Sequence, residues 1–312
     1  MKVLITGGKG FIGSHLVRKV VRDGHQVFVI SKSKEVPVNL KDVEFDTIIG
    51  TYSDDDLLND ILPNIDVVIH LAWSSVPRLD LKEIETDITN NVNGSIKLLN
   101  ACVLHKIKKF VFVSSGGTVY GLPQTVLLKE EHPLNPISYY GIGKVCIEKF
   151  LHMYENTFGL NYSIFRVSNA YGSQQNLKKG QGVLSLWLNH ILLNKHIEVW
   201  GDGTIVRDYI HVSDVVDVLS NAITFQHKHK IYNLGSGIGI SLNDIISLIK
   251  KEVTNDFTIS YKESRSIDVP SCILDISKLQ SEIGFEPSIS LSDGIGSLWQ
   301  WIKKNSTSPL NL

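Results

Sequence analysis

The chain has 312 residues, 43% hydrophobic and 20% charged, with a net charge of −1 at neutral pH. That composition suits a globular protein with a sizeable core, in one large or two moderate domains. It argues against binding nucleic acid through bulk electrostatics, and no apolar run reaches the length of a membrane span. Residues 2–6 already read as a core strand, which leaves no room for a signal peptide and makes the cytoplasm the expected location. Cys102, Cys146 and Cys272 match neither a disulfide framework nor a metal site, so no metal is expected.

The first thirty-one residues organise the rest. KVLIT at 2–6 is a short β-branched run, the pattern of a buried strand. Gly7, Gly10 and Gly13 follow, and residues 14–22 place Leu16, Val17, Val20 and Val21 on one helical face. A second apolar strand covers residues 27–30. This strand–glycine loop–helix–strand unit is the dinucleotide-binding pattern. Gly7 permits the tight turn, Gly10 lets backbone N–H groups approach a pyrophosphate, and Gly13 allows close helix–sheet packing. Strands are then predicted over 43–50, 66–72, 109–115 and 162–167, with helices over 54–62, 84–105 and 138–158. The alternation predicts an α/β fold, a doubly wound parallel sheet. Residues 1–169 are expected to form its domain, rejoined by about 204–232, with a smaller mixed α/β substrate domain over 170–312. That second part carries predicted helices over 183–194, 213–224, 241–252, 276–283 and 292–303.

Ligands of such sheets sit beyond the carboxyl ends of the strands. The cofactor-binding candidates are therefore Gly7, Gly10, Phe11, Ile12, Gly13, Ser31, Lys32, Leu71, Ala72 and Val167. Tyr140 and Lys144, four apart at the start of a helix, share one face. A nearby ammonium is expected to lower the Tyr140 pKa and make it an acid/base for hydroxyl–carbonyl interconversion. Ser114, Ser115 or Thr118 offers a hydroxyl for the reacting oxygen, or caps a turn.

The chain resembles the extended short-chain dehydrogenases/reductases that act on nucleotide sugars. The resemblance is carried by TGGKGFIG at 6–13, HLAW at 70–73, NNVNG at 90–94, FVFVSSGGTVYG at 110–121 and YGIGK at 140–144. RVSNAYG at 166–172, VWGDGTIVRDYIHVSDV at 199–215 and RSIDVP at 265–270 complete the set. It implies that Tyr140 and Lys144 are the catalytic pair, supported by Ser115 or Thr118. It also implies that Asn91 serves the cofactor side, and that Ser115, Asn169, Arg207 and Arg265 hold the sugar nucleotide. Arg suits a diphosphate because its fork binds bidentately. Dimerisation through the two long helices is implied as well.

Three departures from that family pattern matter. The usual catalytic Ser/Thr position is Gly116, and no Asp-Glu dyad for dehydration follows it. Ser31-Lys32-Ser33-Lys34 stands where an acid would hold the ribose of NAD, which favours NADP(H) over NAD(H). Cys272 occupies a position where side-chain size gates the sugar pocket. The leading expectation is reduction of the C4 ketone of a nucleotide-linked 4-keto-6-deoxyhexose, for surface-polysaccharide sugars. A UDP-hexose 4-epimerase with retained NAD is the enzyme alternative, and a nucleotide-sensing protein the non-enzyme one.

Overall fold

The computed structural model describes the chain except residues 76–80, 176, 178–181, 227, 266–267 and 307–312 and the side chains of 81–83 and 306. Part of the segment between the predicted 66–72 strand and 84–105 helix and part of the RSIDVP stretch thus lie outside the described residues.

The first half runs β1 (Lys2–Thr6), α1 (Phe11–Arg22), β2 (Gln26–Ser31), β3 (Asp46–Ile49), α2 (Asp55–Ile61), β4 (Val67–His70), α3 (Leu81–Asp87), α4 (Gly94–Leu104), β5 (Lys109–Ser115), α5 (Tyr139–Phe158) and β6 (Tyr162–Val167). The second half adds β7 (Asn169–Tyr171), α6 (Val183–Leu192), β8 (Ile197–Trp200), β9 (Val206–His211), α7 (Val212–Asn221), β10 (Ile231–Leu234), β11 (Gly239–Ser241), α8 (Leu242–Glu252), β12 (Ile259–Lys262), β13 (Ser271–Cys272), α9 (Ser277–Ile283) and α10 (Leu291–Ser306).

Seven parallel strands form one sheet in the order β10-β6-β5-β4-β1-β2-β3. The chain therefore returns after β9 to extend the sheet beside β6. Strands β4 and β6 are buried at every position, as continuous apolar runs require when helices cover both faces. α1 and α7 pack together over one face, α4 and α5 over the other. Strand order reverses at β1, which has β2 on one side and β4 on the other, and a crevice opens there at the carboxyl ends.

Short strands build the remainder. β9 pairs with β7, β11 and β13, and β8 with β12, around a separate core that includes Tyr171, Trp187 and Trp299. Most of these strands are too short for a period to show in the sequence. Two expectations are corrected. The third strand is confined to Asp46–Ile49. The helix predicted over 84–105 is interrupted by a π turn, Ile88–Asn93, between α3 and α4. Among the described residues no helix is long and apolar enough to cross a membrane, and no cluster of metal-ligating side chains occurs.

One buried ion pair ties α5 to the sheet. Arg166 on β6 and Glu148 on α5 are each 2% exposed at the side chain, with Nη2 donating to Oε2 at 2.7 Å. Arg166 Nη1 also donates to the Tyr120 hydroxyl at 3.0 Å and the Glu130 carbonyl at 2.9 Å. Arg166→Met strands a buried carboxylate and should cost about 3–5 kcal/mol. Adding Glu148→Leu should recover much of that loss, measured by urea denaturation of the single and double variants.

Candidate active site

A cavity of about 790 Å³ fills the crevice. Its floor is the glycine loop. Gly7 has φ +73, and a Cβ there would lie 2.8 Å from the Ala72 amide nitrogen. A Cβ on Gly13 would lie 2.0 Å from the Gly7 carbonyl oxygen, so the close approach of α1 to the loop excludes any side chain. α1 begins at Phe11 with no side-chain cap and no acid in its first turn. The N–H groups of Phe11, Ile12 and Gly13 are thus free of helix partners at the dipole's positive end. This cradle fits a dinucleotide pyrophosphate, and Gly7, Gly10, Phe11, Ile12, Gly13, Leu71, Ala72 and Val167 all line the cavity.

At the end of β2 the lining is basic. Lys32 and Lys9 both face the cavity, and Lys9 Nζ donates to the Ser33 carbonyl at 2.8 Å. Ser31 is partly exposed and is not among the lining residues; its hydroxyl accepts from the Ser33 amide at 3.2 Å. Asn39, overlooked in the sequence, also lines the cavity, and its Oδ1 is buried without a partner. No Asp or Glu is among the described lining residues.

At the other end Tyr140, Lys144 and Ser115 meet. Ser138 caps α5 by accepting from the Gly141 amide, which sets the first turn and points Tyr140 into the cavity. Ser115 hydrogen-bonds Tyr140 through its side chain. Ser114 is committed elsewhere, its hydroxyl donating to Glu148 Oε1 at 2.5 Å. Thr118 does not line the cavity, and its hydroxyl is buried without a partner. Gly116 has no room for a hydroxyl: a Cβ would lie 2.5 Å from Leu274 Cδ1 and 3.0 Å from the Arg166 carbonyl oxygen.

The expected lowering of the Tyr140 pKa is not what the surroundings produce. Burial, reinforced by the Asp87 charge and opposed by the Ser115 hydrogen bond, pushes it up to about 12. Burial also pulls Lys144 down to about 7, against Asp87 and Glu148. The ammonium donates to the Val113 carbonyl at 2.9 Å and sits 4.0 Å from the Trp73 ring centroid.

Asn91 is fully buried and does not line the cavity, whereas Asn90 does. It acts on the wall instead. Its Oδ1 accepts from the Ser74 amide at 2.9 Å, and its Nδ2 donates to Asp87 at 2.7 Å. Its carbonyl accepts from the Ser95 hydroxyl at 2.6 Å. Because Ser95 has a single proton, its oxygen must accept from His70 Nε2, 2.8 Å away. His70 Nδ1 then accepts from the Thr6 hydroxyl at 2.6 Å, and the Thr6 oxygen accepts from the Ala72 amide at 3.2 Å. Burial holds this imidazole neutral, its pKa pushed down to about 3.

Three further sequence candidates, like Ser31, Thr118 and Asn91, are not among the lining residues. Asn169 Nδ2 donates to the Asp208 carbonyl at 3.0 Å. Arg207 donates to the Val269 carbonyl at 2.7 Å and lies 3.8 Å from Asp268. Arg265 pairs with the same Asp268 at 2.8 Å and stacks over Trp200. Trp73, the last residue of HLAW, also lines the cavity, as do Ser74, Ser75, Gln174 and Gln175, which no sequence motif marked.

Replacing Gly116 by Ser should overpack the turn and lower stability by about 1–3 kcal/mol. Leu274→Ala in the same chain should make the serine less costly than in the parent, as read from a double-mutant cycle of melting curves.

Residues 3–235 match the model of the NAD dependent epimerase/dehydratase family. The chain is 34% identical to a putative UDP-glucose 4-epimerase of Methanocaldococcus jannaschii, over 97% of this chain and 99% of that one. It is 31% identical to a dTDP-4-dehydro-6-deoxyglucose reductase of Escherichia coli, over 96% and 97% of the two chains. Among solved structures, UDP-glucose 4-epimerase from Thermotoga maritima with UDP-glucose superposes with a TM-score of 0.93 at 31% identity, covering 98% of this chain and 100% of that one. The Thermus thermophilus UDP-glucose 4-epimerase complex with NAD superposes at 0.89 and 25% identity, again over 98% and 100%. With the glycine cradle and the Tyr140–Lys144 pair already in place, these matches make the chain a nucleotide-sugar enzyme of the NAD dependent epimerase/dehydratase family.

Proposed function

We propose that the chain reduces the C4 ketone of a nucleoside-diphosphate-linked 4-keto-6-deoxyhexose with NADPH, as in dTDP-4-dehydro-6-deoxyglucose to dTDP-fucose. The observation that carries this choice is the charge of the cavity. Lys9 and Lys32 face its β2 end, and no carboxylate is among the described residues lining it. A 2′-phosphate is attracted to such a wall, and the carboxylate that would hold a free 2′-hydroxyl is absent. NADP(H) is thus the preferred cofactor of this reading and NAD(H) the alternative. A net reductase must exchange its cofactor at every turnover, whereas a 4-epimerase re-reduces its own intermediate and benefits from keeping it.

When bound, the dinucleotide supplies the hydride. Tyr140 gives the matching proton to the C4 oxygen, Ser115 orients that oxygen, and the Lys144 ammonium stabilises the phenolate left behind. Hydride plus proton convert ketone to alcohol. Tyr140 is held as a phenol, the protonated form that the acid role requires. Asn169, Arg207 and Arg265 are assigned to the sugar's diphosphate. A homodimer through α3–α4 and α5 is part of the proposal, supported by exposed Ile88, Ile142, Met153 and Phe158 on those segments.

The 4-epimerase reading is favoured by the similarity to UDP-glucose 4-epimerases from M. jannaschii and T. maritima. A purely nucleotide-sensing role is disfavoured by the intact Tyr140–Lys144 pair. The two enzyme readings separate in one experiment. Purified protein should oxidise NADPH only when given a 4-keto-6-deoxyhexose linked to dTDP or GDP. C4 inversion of UDP-glucose or UDP-N-acetylglucosamine without added cofactor would instead establish the epimerase. Tyr140→Phe should lower turnover about 100-fold or more, a usual loss for a proton donor. Ser115→Ala should also lower it, while Thr118→Val should leave it nearly unchanged. Ser31→Asp should shift preference toward NADH; an unchanged preference removes the reason for choosing the reductase.

A further inference from the structure

Asp87 belongs to neither the cavity wall nor any motif of the sequence. It ends α3, just before the π turn, and is 2% exposed. Its Oδ1 accepts from Asn91 Nδ2 at 2.7 Å and from the Ser75 hydroxyl. Its Oδ2 lies 3.1 Å from where a Cβ on Gly143 would stand. The carboxylate therefore abuts the turn of α5 between Tyr140 and Lys144, an approach that a side chain at 143 would crowd. Trp73 Cζ2 closes the other side, 2.9 Å from the same point.

The titratable groups around Lys144 and Asp87 come from four elements. Tyr140 and Glu148 share its helix, Asp87 comes from α3, His70 from β4, and Tyr52 from the loop after β3. His70 is neutral and both tyrosines are held as phenols. Glu148 already faces Arg166 at 2.7 Å, so its charge is largely balanced. Asp87's described side-chain partners, Ser75 and Asn91, are neutral. Its charge is left to act on the Tyr140–Lys144 pair across the low-dielectric interior.

We propose that Asp87 is a positioning residue whose buried charge keeps Lys144 an ammonium and Tyr140 a phenol, so that the pair enters the reaction as an acid. The proposal rests on the reading of that pair as the proton-transfer machinery. Direction agrees from both sides: Asp87 opposes the downward pull of burial on Lys144 and adds to its upward push on Tyr140.

Two measurements test it, and only one needs a substrate. A lysine held near 7 in the native protein, against an ordinary 10.5, is protonated in the unfolded chain first as pH falls. Native stability should therefore decline from about pH 10 to about pH 7 and then level off. In Asp87→Asn the levelling point should move down by about one pH unit or more, Asp87→Glu should restore it, and Lys144→Met should abolish this part of the profile. An Asp87→Asn profile that overlies the parent's overturns the proposal; should that variant not fold, Asp87→Ser serves the same comparison. With whichever nucleotide sugar is turned over, the loss of kcat/KM at high pH should begin at lower pH in Asp87→Asn. A merely structural aspartate would lower kcat/KM at all pH values without moving that limb. If no nucleotide sugar is turned over, the functional reading fails while the stability profiles still decide the role of Asp87.

Discussion

A single file of buried hydrogen bonds holds the two ends of the cavity in register. It runs from the Thr6 hydroxyl through His70 and Ser95 to the Asn91 carbonyl, and from the Asn91 amide to Asp87. Each hydroxyl in it has one proton to give, so the file has one polarity. A neutral His70 protonated on Nε2 is the only state that satisfies it. Thr6 ends the strand that launches the glycine loop, and Asp87 abuts the helix turn carrying Tyr140 and Lys144. The glycine cradle and the Tyr140–Lys144 pair are thus joined through the interior. The π turn belongs to the same constraint, since it carries Asn91 to full burial where regular helix was expected.

Around that file the charges are sorted. Glu148 is spent on Arg166 and Ser114, and Asp87 stays behind the wall, so the cavity itself presents only lysines as charged groups among its described lining. Burial then acts in opposite senses on the two side chains that matter, raising the phenol and lowering the amine. Both shifts favour the neutral forms. An anionic ligand beside Lys144 favours its ammonium form, which couples binding to the protonation state of that side chain.

The glycine loop, the parallel sheet and the Tyr140–Lys144 spacing were legible in the sequence because each follows from a local rule of geometry. Gly7 and Gly13 sit where a Cβ would strike backbone, and only glycine answers that. The hydroxyl replacing the family's Ser/Thr was legible only as a set. Ser115 emerges because Ser114 is taken by Glu148, the Thr118 hydroxyl is buried off the cavity and Leu274 fills the space beside Gly116. The direction of the Tyr140 shift was misjudged, since a one-turn spacing reveals the neighbouring lysine but not the burial of both groups or the charge of Asp87. Asp87 and Asn39 carry no local signature. Their roles arise from contacts between distant segments, which periodicity does not encode.

The absence of a carboxylate among the described lining residues, with Lys9 and Lys32 at the β2 end, is the ground on which the proposal prefers the reductase to the epimerase. Equilibrium binding of NADPH and NADH to the purified protein, followed by nicotinamide fluorescence at low and high salt, tests it most directly. NADPH should bind tighter by about tenfold or more at low salt, with the margin shrinking as salt screens the lysines. Equal affinity, or tighter binding of NADH, would contradict the assignment of that wall to a 2′-phosphate.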